Sequence, residues 1–178
     1  MTSYNPGSEI VAKLLPVASI GVEIGVFNGH SSARFLPRCR RLHLVDPWSL
    51  DAYPDQQDYL TRYAHHIGGN TVEAARRYFD RQHSSVVRRF TGQPVTVHRM
   101  TSAQFFATFM GEVDWVYIDG LHDYESVRAD LLGAAGIVKP GGVIYGDDYG
   151  KKPGVAPAVD EFAPHRELLG LSQYRIQC

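Results

Sequence analysis

Residues 22–29, Val-Glu-Ile-Gly-Val-Phe-Asn-Gly, limit the folds open to this chain more than any other segment. A β-type run ends there on an acid and two glycines spaced four apart, and helix-forming sequence follows. Glycine tolerates positive φ and lets a ligand approach the backbone, so Gly25 and Gly29 suit a tight strand-to-helix turn whose amides face a carboxylate or phosphate. Alone, the spacing fits a plain structural turn equally well. The order of later strands and acids separates the two readings.

Downstream, short apolar runs alternate with longer stretches of helical periodicity, which predicts an α/β fold with a mainly parallel sheet and helices on both faces. Ile10, Val11, Leu14 and Leu15 mark a short amphipathic helix that Pro16 ends. Strands are predicted near Ser19 to Ile24, Leu42 to Val45, Val95 to His98, Asp114 to Ile118 and Val143 to Gly146. Ligands of open α/β sheets sit outside the carboxyl ends of the strands. Asp46, Ser102, Asp119, Asp147 and Asp148 all fall at those ends. Acids also cap helices and start turns, but five such positions exceed that need.

With 178 residues, 44% hydrophobic and 21% charged, the chain suits one compact domain spanning 1–178. Its net charge of −1 gives no overall field for nucleic acid or an anionic membrane, so neither partner is expected. No apolar run is long enough to span a bilayer, and the N-terminal Met-Thr-Ser-Tyr-Asn-Pro-Gly-Ser lacks a basic region followed by an apolar one. The expected compartment is cytoplasmic. Cys39 and Cys178 have no Cys or His partner at metal-finger spacing and read as free thiols.

Between the second and third strands lies an insertion, Pro47 to Pro94, longer than a crossover helix requires. Tyr59, Leu60, Tyr63 and Ile67 keep helical spacing until Gly68-Gly69, and Asn70 with Glu73 resembles a capping box for a second helix carrying Val72, Ala75 and Phe79. Most of these aromatics fit a core stripe. Tyr53, Tyr59, Tyr63, His65 and His66 also fit a lid over an acceptor site. Arg76-Arg77 and Arg88-Arg89 read as solvated helix faces.

Taken in order, these motifs resemble the class I S-adenosylmethionine-dependent methyltransferases, and the resemblance covers nearly the whole chain. It implies a Rossmann-like sheet whose first strand ends in Glu23-Ile24-Gly25-Val26-Phe27-Asn28-Gly29-His30-Ser31. Gly25, Phe27, Gly29 and Ser31, with Glu23 at the strand end, would surround the methionine half of the cofactor. Asp46 would accept the ribose hydroxyls, Trp48 would cover the adenine or simply pack, and Ser102 would read the adenine edge. A nicotinamide dinucleotide is the competing cofactor, but its G-x-G-x-x-G fingerprint would begin at Glu23, where a carboxylate repels the pyrophosphate.

Asp119-Gly120-Leu121-His122 and Asp147-Asp148 resemble the metal-assisted small-molecule O-methyltransferases of catechol and macrolide-sugar or aminocoumarin-sugar type. That likeness implies a divalent ion, magnesium, on Asp119, Asp147 and Asp148. Such an ion lowers the pKa of an acceptor hydroxyl and orients it in line with the methyl group. Where catechol enzymes carry a lysine base three residues after the first metal acid, this chain has His122, which argues against a strictly catechol-like acceptor.

The expected activity is transfer of a methyl group from S-adenosylmethionine to a hydroxyl of a sugar or phenolic small molecule, with His122 or Asp119 as base. The alternatives are a metal-independent reaction using His122, transfer to nitrogen, and a non-catalytic cofactor-binding subunit. Residues 154–162 read as a helix beside the acceptor pocket, and the tail suffices for closing antiparallel strands. Acceptor choice would then fall to the insertion, the loop after the fifth strand, and a neighbouring copy if the protein is a homo-oligomer.

Overall fold

The structure, a computed structural model, describes residues 6–178; the leader reading of Met1 to Asn5 falls outside it. The strands are β1 (Ser19–Ile24), β2 (Cys39–Asp46), β3 (Val95–Arg99), β4 (Val113–Ile118), β5 (Val138–Gly146), β6 (Glu167–Gly170) and β7 (Gln173–Gln177). The helices are α1 (Gly7–Leu14), α2 (His30–Phe35), α3 (Gln56–Arg62), α4 (Ala64–Ile67), α5 (Val72–Phe90), α6 (Ser102–Thr108), α7 (Tyr124–Ala135) and α8 (Val155–Phe162). Among the described residues, no helix is long and apolar enough to cross a membrane.

All seven strands join one sheet in the order β3-β2-β1-β4-β5-β7-β6. β1 to β5 run parallel, and β7 pairs antiparallel with both β5 and β6. Strand order reverses between β1 and β4, where a doubly wound sheet opens its ligand crevice. Register brings Glu23 between Leu44 and Tyr117, and Ile24 between Val45 and Ile118.

Both faces of the sheet are covered, so the central strands are apolar on alternate sides. In β4, Trp115 and Tyr117 join Phe35, Leu42, Leu44, Val86 and Phe90 on one face. Val116 and Ile118 join Val22, Ile24, Phe105, Leu131 and Val159 on the other. The polar tips of the β4 aromatics are bonded: Trp115 Nε1 donates to Ser19 Oγ (2.9 Å) and Tyr117 Oη to Gln173 Oε1 (3.1 Å).

The insertion differs from its sequence reading in two details. The expected first helix breaks at Tyr63 (φ −105°, ψ 11°) into α3 and α4, and Gly68 at φ +80° ends the pair. α5 is capped by Thr71, whose side chain accepts from Ala74 N, and not by Asn70. With the start one residue later, Glu73 no longer sits where it can close a capping box and pairs with Arg77 one turn on (3.1 Å). α5 is itself the crossover from β2 to β3, so only residues 47–71 are additional to the basic unit.

Candidate active site

The cofactor turn is fixed by the strands around it. Gly25 has φ +85° and packs so closely on β4 that a Cβ there would lie 1.9 Å from the Asp119 carbonyl oxygen. Gly25 N donates to Val45 O (3.0 Å), Asp119 N to Ile24 O (2.8 Å) and Asp147 N to Ile118 O (3.1 Å), so the sheet ladder continues into all three loops. Asp46 Oδ2 accepts Val26 N (3.0 Å) and Phe27 N (2.9 Å), while its Oδ1 accepts Trp48 N (2.7 Å). Burial raises the Asp46 pKa, and these three amides oppose the rise. A carboxylate offers about four acceptor positions, so Asp46 retains about one for a ligand hydroxyl, fewer than the two of the sequence reading.

Glu23 is buried beneath the turn and takes a short hydrogen bond from Ser32 Oγ. Burial, above all, drives its pKa well above the usual carboxylate range. Phe27 stands 39% exposed at φ +52°, beside Tyr78. Trp48 is 1% exposed, donates its Nε1 to Phe27 O (2.8 Å) and packs on His83. Its ring thus belongs to the floor, and its single donor is spent inside the protein. Arg89 was legible only as a charged helix face, yet its guanidinium donates to Asn28 O (3.3 Å) and Gly29 O (3.1 Å), behind the turn.

A cavity of about 910 Å³ opens over these strand ends. Glu23, Gly25, Phe27, Ser31, Asp46 and Trp48 line one part, Ser102 and Asp130 another, and Asp119, His122, Asp147 and Lys151 a third. Gly29 is not in the lining; it caps α2 at φ +74°. From the insertion, Tyr53, Tyr59, Tyr63 and His66 line the cavity, whereas His65 does not and lies tilted against His66. Tyr53–Tyr59 and Tyr59–Tyr63 centroids are 4.0 and 4.6 Å apart. Burial pushes the Tyr59 hydroxyl up to about 12 and raises that of Tyr53 as well, so both stay protonated donors.

At the ends of β4 and β5, ligand atoms of Asp119, His122 and Asp148 all lie within 4.8 Å of one another. His122 Nε2 is 2.9 Å from Asp148 Oδ2 and 3.8 Å from Asp119 Oδ1. It is buried without an aligned hydrogen bond, the Asp148 contact lying off the N–H axis. The carboxylates of Asp119 and Asp148 raise His122 to about 9. Burial lifts Asp119 to about 6, and His122 holds Asp148 low.

The expected trio of Asp119, Asp147 and Asp148 is therefore rearranged. Asp147 Oδ1 is occupied by Asp148 N (2.5 Å) and Ser172 Oγ (2.6 Å), so it braces the turn. Asp148, at φ +61°, swings its carboxylate to His122 instead. A buried imidazole nitrogen without an aligned partner between two carboxylates is a donor set that fits a divalent cation. Asp123 is the N-cap of α7, bonded by Ser126 N (3.0 Å).

A strand order reversing over a glycine turn, with acids at each adjacent strand end, is the layout of a class I methyltransferase. The chain belongs to the family described as a methyltransferase domain, whose match covers residues 22–149, from β1 to just past Asp148. It is a methyltransferase. No curated protein sequence matches it.

Solved structures share the fold at low identity. The N-methyltransferase NodS of Bradyrhizobium japonicum, in complex with S-adenosylhomocysteine, is 14% identical with a TM-score of 0.63, over 98% of this chain and 89% of that one. An rRNA methylase of Streptococcus thermophilus is 10% identical with a TM-score of 0.59, over 99% of this chain and 96% of that one. An amino pentose methyltransferase of Micromonospora echinaspora is 15% identical with a TM-score of 0.54, over 83% of this chain and 52% of that one.

Proposed function

We propose that the protein transfers the methyl group of S-adenosylmethionine to a hydroxyl of a small molecule, a sugar or a phenol, with a divalent cation held by Asp119, His122 and Asp148. One observation carries this reading: that cluster sits at the cavity shared with the glycine turn, so acceptor and methyl donor meet beside it. When bound, the cation would lower the pKa of the acceptor hydroxyl and fix its direction. With its Nε2 committed to the cation, His122 cannot also take a proton, so the hydroxyl proton passes to Asp119, which lines the cavity, as oxygen bonds to the methyl carbon and the sulfonium is neutralised to a thioether.

Tyr53, Tyr59 and Tyr63 supply flat apolar faces with hydroxyl tips, which suits a sugar or phenol. The net charge of −1 and the acidic cluster speak against a nucleic-acid acceptor. Two carboxylates suit magnesium, and the imidazole ligand favours the softer manganese, so both ions are to be tried.

One other reading is a metal-free reaction with His122 as base; because the 2.9 Å Asp148 contact holds His122 protonated up to about pH 9, that reaction would run only towards alkaline pH. Calorimetric titration with magnesium or manganese, on the protein and on Asp148→Asn, is paired with an acceptor screen with and without chelator. Metal binding lost in the variant, and activity lost in chelator, is the expected result. Full activity in chelator would establish the metal-free reading.

A further inference from the structure

The cavity has a polar corner that the transfer chemistry leaves unused. Asp130 lies within α7, at a position where an acid ordinarily faces water, yet it is 5% exposed and lines the cavity. Ser102, the first residue of α6, is the one side chain that favours the charged form of Asp130. Among the described residues no ion pair involves it. A buried carboxylate is costly unless donors fill its lone pairs, and the single hydroxyl of Ser102 can fill at most one. Burial accordingly lifts its pKa to about 6.

Gly120 stands opposite. A Cβ there would come within 3.5 Å of Asp130 Oδ2, so any longer side chain at 120 would cover the carboxylate. Ser126 and Ala129, both small, line the same approach from α7. The corner is shaped to offer an acceptor to a ligand N–H.

The cofactor has one group for it. Its carboxylate end suits the turn amides backed by Arg89, and its ribose suits Asp46, which leaves the purine for the arm of the cavity at Ser102. Adenine carries a single exocyclic amino group, with two N–H donors. We propose that Asp130, held by Ser102 and uncovered by Gly120, accepts this amino group and makes the enzyme select adenine over a 6-oxopurine. The inference rests on the S-adenosylmethionine reading and is independent of the acceptor and the metal.

Calorimetry with S-adenosylhomocysteine and S-inosylhomocysteine tests it. Wild-type protein should prefer the adenosyl ligand at least about tenfold, the worth of one hydrogen bond to a charged group. Asp130→Asn, whose amide can donate to the 6-oxo oxygen, should bring the ratio near one. Equal binding of both ligands by wild type overturns the proposal without any variant. So does an Asp130→Asn protein that weakens both ligands alike and keeps the ratio, since that marks a packing role. If that variant does not fold, Ser102→Ala must narrow the ratio, and an unchanged ratio counts against the proposal. Failure of S-adenosylhomocysteine to bind wild type at all would instead overturn the cofactor reading.

Discussion

Replacing Gly25 by alanine tests whether the cofactor turn and the acid at the end of β4 form one mechanical unit. The added Cβ would lie 1.9 Å from Asp119 O and 2.7 Å from Gly120 N, both backbone atoms. Ordinary contact begins near 3.4 Å, so turn and acid must part by roughly 1.5 Å. Neither yields easily, because Gly25 N is tied to Val45 O and Asp119 N to Ile24 O. A left-handed alanine costs about 1–2 kcal/mol and overpacking adds about 1–3, a loss of roughly 2–5 kcal/mol. For a chain of this size that lowers the melting temperature by roughly 4–20 °C. Misplacing reacting groups by about 1 Å costs about a hundredfold in rate, so the folded fraction should turn over at least about a hundredfold more slowly. Thermal melts, cofactor calorimetry and single-turnover rates measure the three effects. A variant melting like wild type, with unchanged cofactor affinity and turnover, would refute the contact.

Two further perturbations address residues away from the reacting groups. His43 is 8% exposed, 3.0 Å from His98 and packed against Phe109, and burial lowers its pKa from 6.5 to about 4. Its unfolded form therefore binds the proton more tightly, so its contribution to stability is complete above 6.5 and is lost as pH falls towards 4. At about pH 5 the loss is about 2 kcal/mol; urea unfolding of wild type and His43→Gln at about pH 7.5 and pH 5 should show that much less pH dependence in the variant, and equal dependence would refute it. Arg89→Gln removes the two bonds to the carbonyls of Asn28 and Gly29. Because Arg89 is exposed, the expected weakening of S-adenosylhomocysteine is about threefold to tenfold; an unchanged Kd would show that the turn stands without it.

The sequence was a good guide wherever chemistry and periodicity coincided. β1 is legible to the residue, because an apolar run ends abruptly at glycine. β2 begins three residues before its predicted start because Arg40 and Arg41 are exposed strand residues, and β5 begins at Val138 because Lys139-Pro140-Gly141-Gly142, which reads as a turn, is a bulge inside the strand with Gly141 at φ +80°. Asp119, Asp147 and Asp148 read as metal ligands from the strand ends, and His122 as a base from its place three residues after Asp119. Which of Asp147 and Asp148 faces His122 was not legible, since neighbouring residues in a turn point apart and the left-handed backbone at Asp148 decides. Asp130 and Arg89 were missed for the opposite reason: on a helix, one charged residue looks like another until packing shows which is buried or bonded.

Asp46 holds Val26, Phe27 and Trp48 in place without help from a ligand. Association is then a docking onto a finished socket, with little ordering of the chain left to oppose it. The same socket meets the spent cofactor, which keeps the carboxylate, ribose and base and lacks only the methyl group and its charge. Nothing in the Asp46 grip loosens when the methyl group leaves. Departure of S-adenosylhomocysteine is thus the step the architecture does least to hasten, and the enzyme will slow as that by-product accumulates unless another activity clears it.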